Sequence, residues 1–197
     1  MATNSGGILW SRRRRAVAVG IVFVAAAVLS AVSLLALHWV TAPKRGLTKY
    51  PDIGFVRLHL PAHSVSLPNL RGPGRIELAR LAGKPIVMNF WASSCHPCTK
   101  ETPALASEAR AMGSKVRFLG IDTADRRGAA LAFIRRYRVP YPVAFDPKAS
   151  AAGRYNIVGL PVTFFLSPSA KTILGENVGP LTLTKLRLIL RLLYGVT

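Results

Sequence analysis

The chain has 197 residues, 27 lysines and arginines against eight aspartates and glutamates, a formal net charge of +19 and two cysteines. Two cysteines exclude a disulfide-stapled small fold and an all-cysteine structural zinc site. The basic residues are scattered rather than interleaved with aromatics, which argues against nucleic acid and leaves a solvated arginine-rich surface, an anionic membrane or an acidic partner.

Arg12 to Arg15 form a basic block, and Ala16 to Leu37 carries no charge. That stretch is long enough to cross the roughly 30 Å hydrocarbon core as a helix. The arginines predict a cytoplasmic segment over 1–15, a transmembrane anchor over 16–40 and everything later outside. Trp39 suits the far interface and Trp10 the near one. A cleaved signal peptide is the alternative, but Leu35-Ala36-Leu37-His38 is a poor small-x-small site. Either reading exports the remainder to a compartment that sustains disulfides.

Residues 41–61 mix charge, proline and glycine and read as a juxtamembrane tether with one short strand, Phe55 to Leu60. Residues 62–197 suit one domain. Val65 to Leu67 and Arg75 to Leu78 predict a hairpin around the turn Asn69 to Gly74. The apolar run Ile86 to Trp91 predicts a central buried strand. A helix follows from Pro97 or Thr99 to Met112, with Ala104, Leu105 and Ala109 on its apolar side and Gly113 ending it. Val116 to Ile121 is the next strand, and Asp122 to Gly128 a loop. A helix over Ala129 to Tyr137 comes next, then a strand over Pro142 to Phe145 and a helical turn over Ser150 to Tyr155. Val162 to Leu166 and Thr172 to Val178 form a late hairpin. Thr182 caps a last helix whose Leu183, Leu186, Ile189, Leu190 and Leu193 share a face, opposite Lys185, Arg187 and Arg191. Covering the sheet is its expected role; lying on a membrane is the alternative. This alternation predicts an α/β sandwich.

Both cysteines lie in Cys95-His96-Pro97-Cys98, between the buried strand and the helix. A thiol at a helix N-terminus faces unpaired backbone N–H groups and the positive end of the helix dipole, which favour a thiolate. Cys98, further along the helix, is placed to resolve a mixed disulfide. A metal site is the weaker reading: His38 lies in or beside the anchor, and nothing in the spacing of His59 and His63 recruits them. An inert bridge closing so short a loop would stabilise little.

Phe90-Trp91-Ala92 before the cysteines and Val158-Gly159-Leu160-Pro161-Val162-Thr163-Phe164-Phe165 late in the chain resemble the thioredoxin fold, and more narrowly the membrane-tethered TlpA/ResA-type thioredoxins, over roughly Val65 to Tyr194. The resemblance implies a central mixed sheet flanked by helices and a redox-active Cys95–Cys98 disulfide, with Cys95 as nucleophile and Cys98 as resolving thiol. It implies that Pro161 is a cis-proline facing the disulfide and that Glu101 tunes the thiols. The substrate groove falls to Trp91, Ser94, His96, Pro97 and Leu160. Two departures stand out. Asn89 replaces the acid of cytoplasmic thioredoxins and cannot serve as a buried base; Ser94 removes an aromatic wall from the groove.

The implied activity is reduction of disulfides in exported proteins, with apocytochrome c as one substrate and cytochrome c maturation as one setting. A membrane thiol carrier would supply the electrons, with no cofactor and no metal. A disulfide-forming oxidase is the near alternative. A copper-handling protein using Cys95, Cys98 and a histidine, or a peroxidase, comes from a different class.

Overall fold

The computed structural model describes residues 54–196, the strand Lys49–Tyr50, and residues 28 and 30. The expected basic N-terminus and, apart from residues 28 and 30, the expected anchor lie outside the described residues. Among the described residues no helix is long and apolar enough to cross a membrane. The chain divides into two compact units, Met1–Arg45 and Gly46–Thr197; the second is described below.

Its elements in chain order are strands β1 (Lys49–Tyr50), β2 (Phe55–Pro61), β3 (Ser66–Pro68) and β4 (Arg75–Glu77), a 3-10 turn over Leu78–Leu81, and β5 (Ile86–Trp91). Then come α1 (His96–Met112), β6 (Arg117–Thr123), α2 (Arg127–Arg136), β7 (Val143–Asp146), α3 (Ser150–Arg154), β8 (Val162–Leu166), β9 (Thr172–Val178) and α4 (Leu183–Tyr194). Seven strands form one mixed sheet in the order β1-β2-β9-β8-β5-β6-β7, and β3 pairs β4 separately. The β5–β6 and β6–β7 pairs are parallel; β5–β8, β8–β9 and β2–β9 are antiparallel.

β5 sits inside the sheet with all six residues buried, which is why it reads as an uninterrupted apolar run. The two-residue period of a strand sends Val87 and Trp91 into one core cluster, with Cys98, Leu105 and Leu186, and sends Ile86, Met88 and Phe90 into the other. Asn89 shares the first face, the face covered by α1. α4 also packs on this side: Leu186, Ile189 and Leu190 are buried, so it covers the sheet. Thr182 caps it by accepting a hydrogen bond from Lys185 N–H at 3.2 Å.

Three expectations need amendment. The strand expected inside the tether is a full member of the sheet, because Phe55 is buried and meets Phe165 edge-on with ring centroids 5.8 Å apart. On β9, Gly175 leaves the room: a Cβ there would collide with the Phe55 ring. The folded unit therefore starts before residue 62. Arg75 to Leu78 returns as strand only to Glu77, since Leu78 opens the 3-10 turn and is buried. Asp122 and Thr123 belong to β6 rather than to the loop after it, because the ladder with β7 continues through the pair Thr123 and Asp146.

Candidate active site

α1 begins immediately after Cys95, which is its N-cap residue in an extended conformation. The Cys98 N–H is shared between the Cys95 C=O at 3.1 Å and the Cys95 Sγ at 3.2 Å, so a first-turn donor faces the sulfur. Pro97 lies in the first turn, where a missing N–H costs nothing. Cys95 and Cys98 are disulfide-bonded with Cα atoms 5.3 Å apart. Their exposure differs: Cys98 is fully buried, whereas Cys95 is half-buried and flanked by exposed Ser94 and His96. A reactant from solvent reaches Cys95 first.

The Leu160–Pro161 peptide is cis, and Pro161 is buried. Antiparallel pairing of Phe90 with Val162 brings the start of β8 to the end of β5, so the loop before β8 and the loop bearing the cysteines leave the sheet at the same edge. Leu160 is half-buried and packs against both core clusters. Val158, two residues earlier, is fully exposed. Trp91, expected in the groove, is only 3% exposed and stacks on Phe133 at 4.5 Å between ring centroids. Its ring supports the loop from below, because the strand period turns it towards α2.

Glu101 is completely buried one turn beyond Cys98. Its Oε1 accepts from Asn89 Nδ2 at 2.7 Å and its Oε2 from Leu181 N–H at 3.0 Å. Burial dominates these bonds and raises its pKa to about 7. Asn89 Nδ2 also donates to Thr163 Oγ1 at 3.0 Å, joining β5 to β8 and α1. Asn89 is thus a structural partner of Glu101, a role that replacement of a buried acid did not announce in the sequence.

A second acidic group was missed. On the far side of the cysteine loop, Ser93 N–H donates to Asp125 Oδ2 at 2.6 Å, and Arg126 N–H to its Oδ1 at 2.7 Å. Burial would raise the Asp125 pKa, but the Ser93 and Arg126 donors outweigh it and hold the group below the ordinary carboxylate value. Asp122, at the end of β6, is fully buried with Asp125 and Asp146 near it; desolvation first, and these two acids second, push its pKa up to about 8. Asp146 is satisfied by Ser150 and by the N–H groups of Ala151 and Ala152 at the start of α3. Among the described residues no group of three or more histidines, cysteines or acids is arranged to hold a metal ion.

Comparison with known proteins agrees with this geometry. The AhpC/TSA family profile matches residues 59–173. The thiol-disulfide oxidoreductase ResA of Bacillus subtilis (strain 168) is 33% identical over 100 residues, which cover 50% of this chain and 56% of ResA. The thiol:disulfide interchange protein DsbE of Allochromatium vinosum is 37% identical over 124 residues, 61% of this chain and 66% of DsbE. The chain thus spans less than two thirds of the length of either relative. A crystal structure of a thiol:disulfide interchange protein of the thioredoxin family from Chlorobium tepidum TLS superposes with a TM-score of 0.61 at 25% identity, covering 69% of this chain and 97% of that one. With the profile spanning more than half of its residues, and its sheet and helices arranged in a thioredoxin-like α/β fold, the chain belongs to the AhpC/TSA family.

Proposed function

We propose that the chain is a thiol–disulfide oxidoreductase, tethered by residues 16–40 and working outside the cytoplasm, that reduces disulfides of exported proteins. One observation carries the chemistry: a half-buried Cys95 caps α1 and accepts the Cys98 N–H, while its disulfide partner Cys98 is sealed in the core. The names of the relatives, ResA and DsbE, support the reaction class.

In the reduced protein the Cys95 thiolate attacks one sulfur of a substrate disulfide. A Cys95–substrate bond forms and one substrate thiolate leaves. The Cys98 thiolate then attacks Cys95 Sγ, the mixed disulfide breaks and the second substrate thiolate leaves. Two electrons pass to the substrate and the Cys95–Cys98 bond is restored, so a membrane thiol carrier must reduce the pair again. Cys98 loses its proton in a closed environment, and Glu101, titrating near neutrality one turn away, is the group we assign to take that proton. The loop through Val158, Leu160 and Pro161, with Ser94, His96 and Pro97, forms the surface on which the substrate chain lies. Apocytochrome c fits this reading as a substrate, and cytochrome c maturation as its setting.

The test is exchange with a model protein disulfide. Cys95→Ser should abolish the reaction, and Cys98→Ser should accumulate a mixed disulfide visible on a non-reducing gel. Trapping by Cys95→Ser instead would reverse the two roles, and activity in the double variant would remove the function.

A further inference from the structure

Asp122 is a fully buried carboxyl, and among the described residues no N–H or O–H donor reaches either of its oxygens. A buried carboxylate left without a donor is costly. The group within hydrogen-bonding reach of it is another carboxyl, Asp125. Two carboxylates accept but cannot donate, so a hydrogen bond between them exists only while one carries a proton. Asp125 in turn accepts the backbone N–H of Ser93, two residues before Cys95.

We propose that Asp122 and Asp125 share one proton and that the pair positions the loop carrying Cys95. The proposal rests on Cys95 being the nucleophile. The proton resides on Asp122, which donates to Asp125. Asp125 remains the anion and is free to accept from Ser93 and Arg126. The division follows from the surroundings: Asp125 has two backbone donors, Asp122 has none, and Asp146 adds a further negative charge beside Asp122. From the other strands packed against Asp122, the in-register residues are uncharged, Trp91 on β5 and Phe145 on β7. Arg127, at the start of α2, lies over the Phe145 ring and donates to the Asn69 carbonyl. Among the described residues no lysine or arginine forms an ion pair with Asp122 or Asp125, and a proton is the positive charge we assign to the pair. Held this way, the Ser93 N–H fixes the turn in which Cys95 N–H donates to Ala92 C=O, and that turn aims Cys95 Sγ at the Cys98 N–H.

Two measurements on the reduced full chain in detergent micelles test this. In carbon-13 NMR, the Asp122 carboxyl should titrate well above the ordinary carboxylate range, and the Asp125 resonance should shift at the same pH. Independent titrations, or an Asp122 midpoint in the ordinary range, would overturn the shared proton. The second measurement is alkylation of Cys95 at pH 7 in a Cys98→Ser background. Asp125→Ala should slow it at least threefold, because the freed loop no longer presents sulfur to the helix N-terminus. Asp125→Asn, which keeps an oxygen for the Ser93 N–H, should restore most of the rate. A purely electrostatic Asp125 predicts the opposite sign, faster alkylation in both variants; that result, or an equal loss in both, would overturn the positioning role. Should Asp125→Ala fail to fold, Asp125→Asn decides the positioning role, a rate near wild type supporting it and a faster one overturning it, while the NMR titration decides the shared proton. Neither readout needs a disulfide substrate, so a chain inactive in exchange but showing the coupled titration would lose the proposed function and keep the pair.

Discussion

Glu101 is pulled in two directions. Its oxygens accept from two N–H donors, which favours the carboxylate, while complete burial favours the acid, and burial wins. A carboxyl with a raised pKa holds its proton in the native state where the unfolded chain has released it. Stability from this group is therefore greatest below the ordinary pKa of 4.5 and falls as pH rises through to about 7, by on the order of 3 kcal/mol. Glu101→Gln should flatten that slope in urea unfolding between pH 4.5 and 7; an unchanged slope would assign it to other groups. The same variant should alter the pH profile of exchange beyond what the Cys95 thiolate fraction explains, measured by alkylation beside exchange rates. The cysteines could be found from sequence because the motif is local, four residues where a strand gives way to a helix. The partners of Glu101 could not. Leu181 lies 80 residues beyond Glu101, and Asn89 is itself held by Thr163, 74 residues away, through the β5–β8 register. Asp122 likewise read as loop, since nothing local marks a strand end that faces a second acid.

The helix α4 shows the same limit for elements. Its apolar stripe is plain in the sequence, and the stripe does pack on the sheet. Arg187, read as part of the polar face, in fact bonds through Nε to Glu108 Oε2 of α1 at 2.9 Å, and Glu108 is fully buried. No local pattern announces that a mid-helix glutamate is buried. Arg187→Ala should cost about 2 kcal/mol in chemical denaturation, less than a wholly interior pair because Arg187 itself is exposed. Adding Glu108→Gln should recover part of that loss; two additive losses would mean that the ion pair is not the cause. On the same side of the sheet, Gly175→Ala forces the added methyl into the Phe55 ring and should destabilise by about 1–3 kcal/mol. Trimming Phe55 to leucine in the same chain should relieve the clash, which thermal melts of the single and double variants would reveal.

For the molecule as a whole, the proposed orientation is the property most open to experiment. Four of the 27 basic residues stand in the Arg12–Arg15 block, and the proposed outer part carries the remaining 23 against all eight acids. Protease added to cells stripped of wall or outer membrane should therefore degrade a tag placed after Thr197; a protected tag would put the domain on the cytoplasmic side. The placement of β2 adds a constraint in time. Phe55 of β2 lies opposite Asn177 of β9, so the first long strand of the domain finds its partner in the last strand of the sheet to be made. A growing polypeptide exposes residues 55–61 well before the ribosome has produced Thr172–Val178. Until then that strand has an unsatisfied edge, and the sheet is completed only once β9 has been made. Contacts of such long sequence separation form slowly. For a chain that the proposed anchor would thread across a membrane as it is made, closure of the domain waits for β9 rather than beginning with β2.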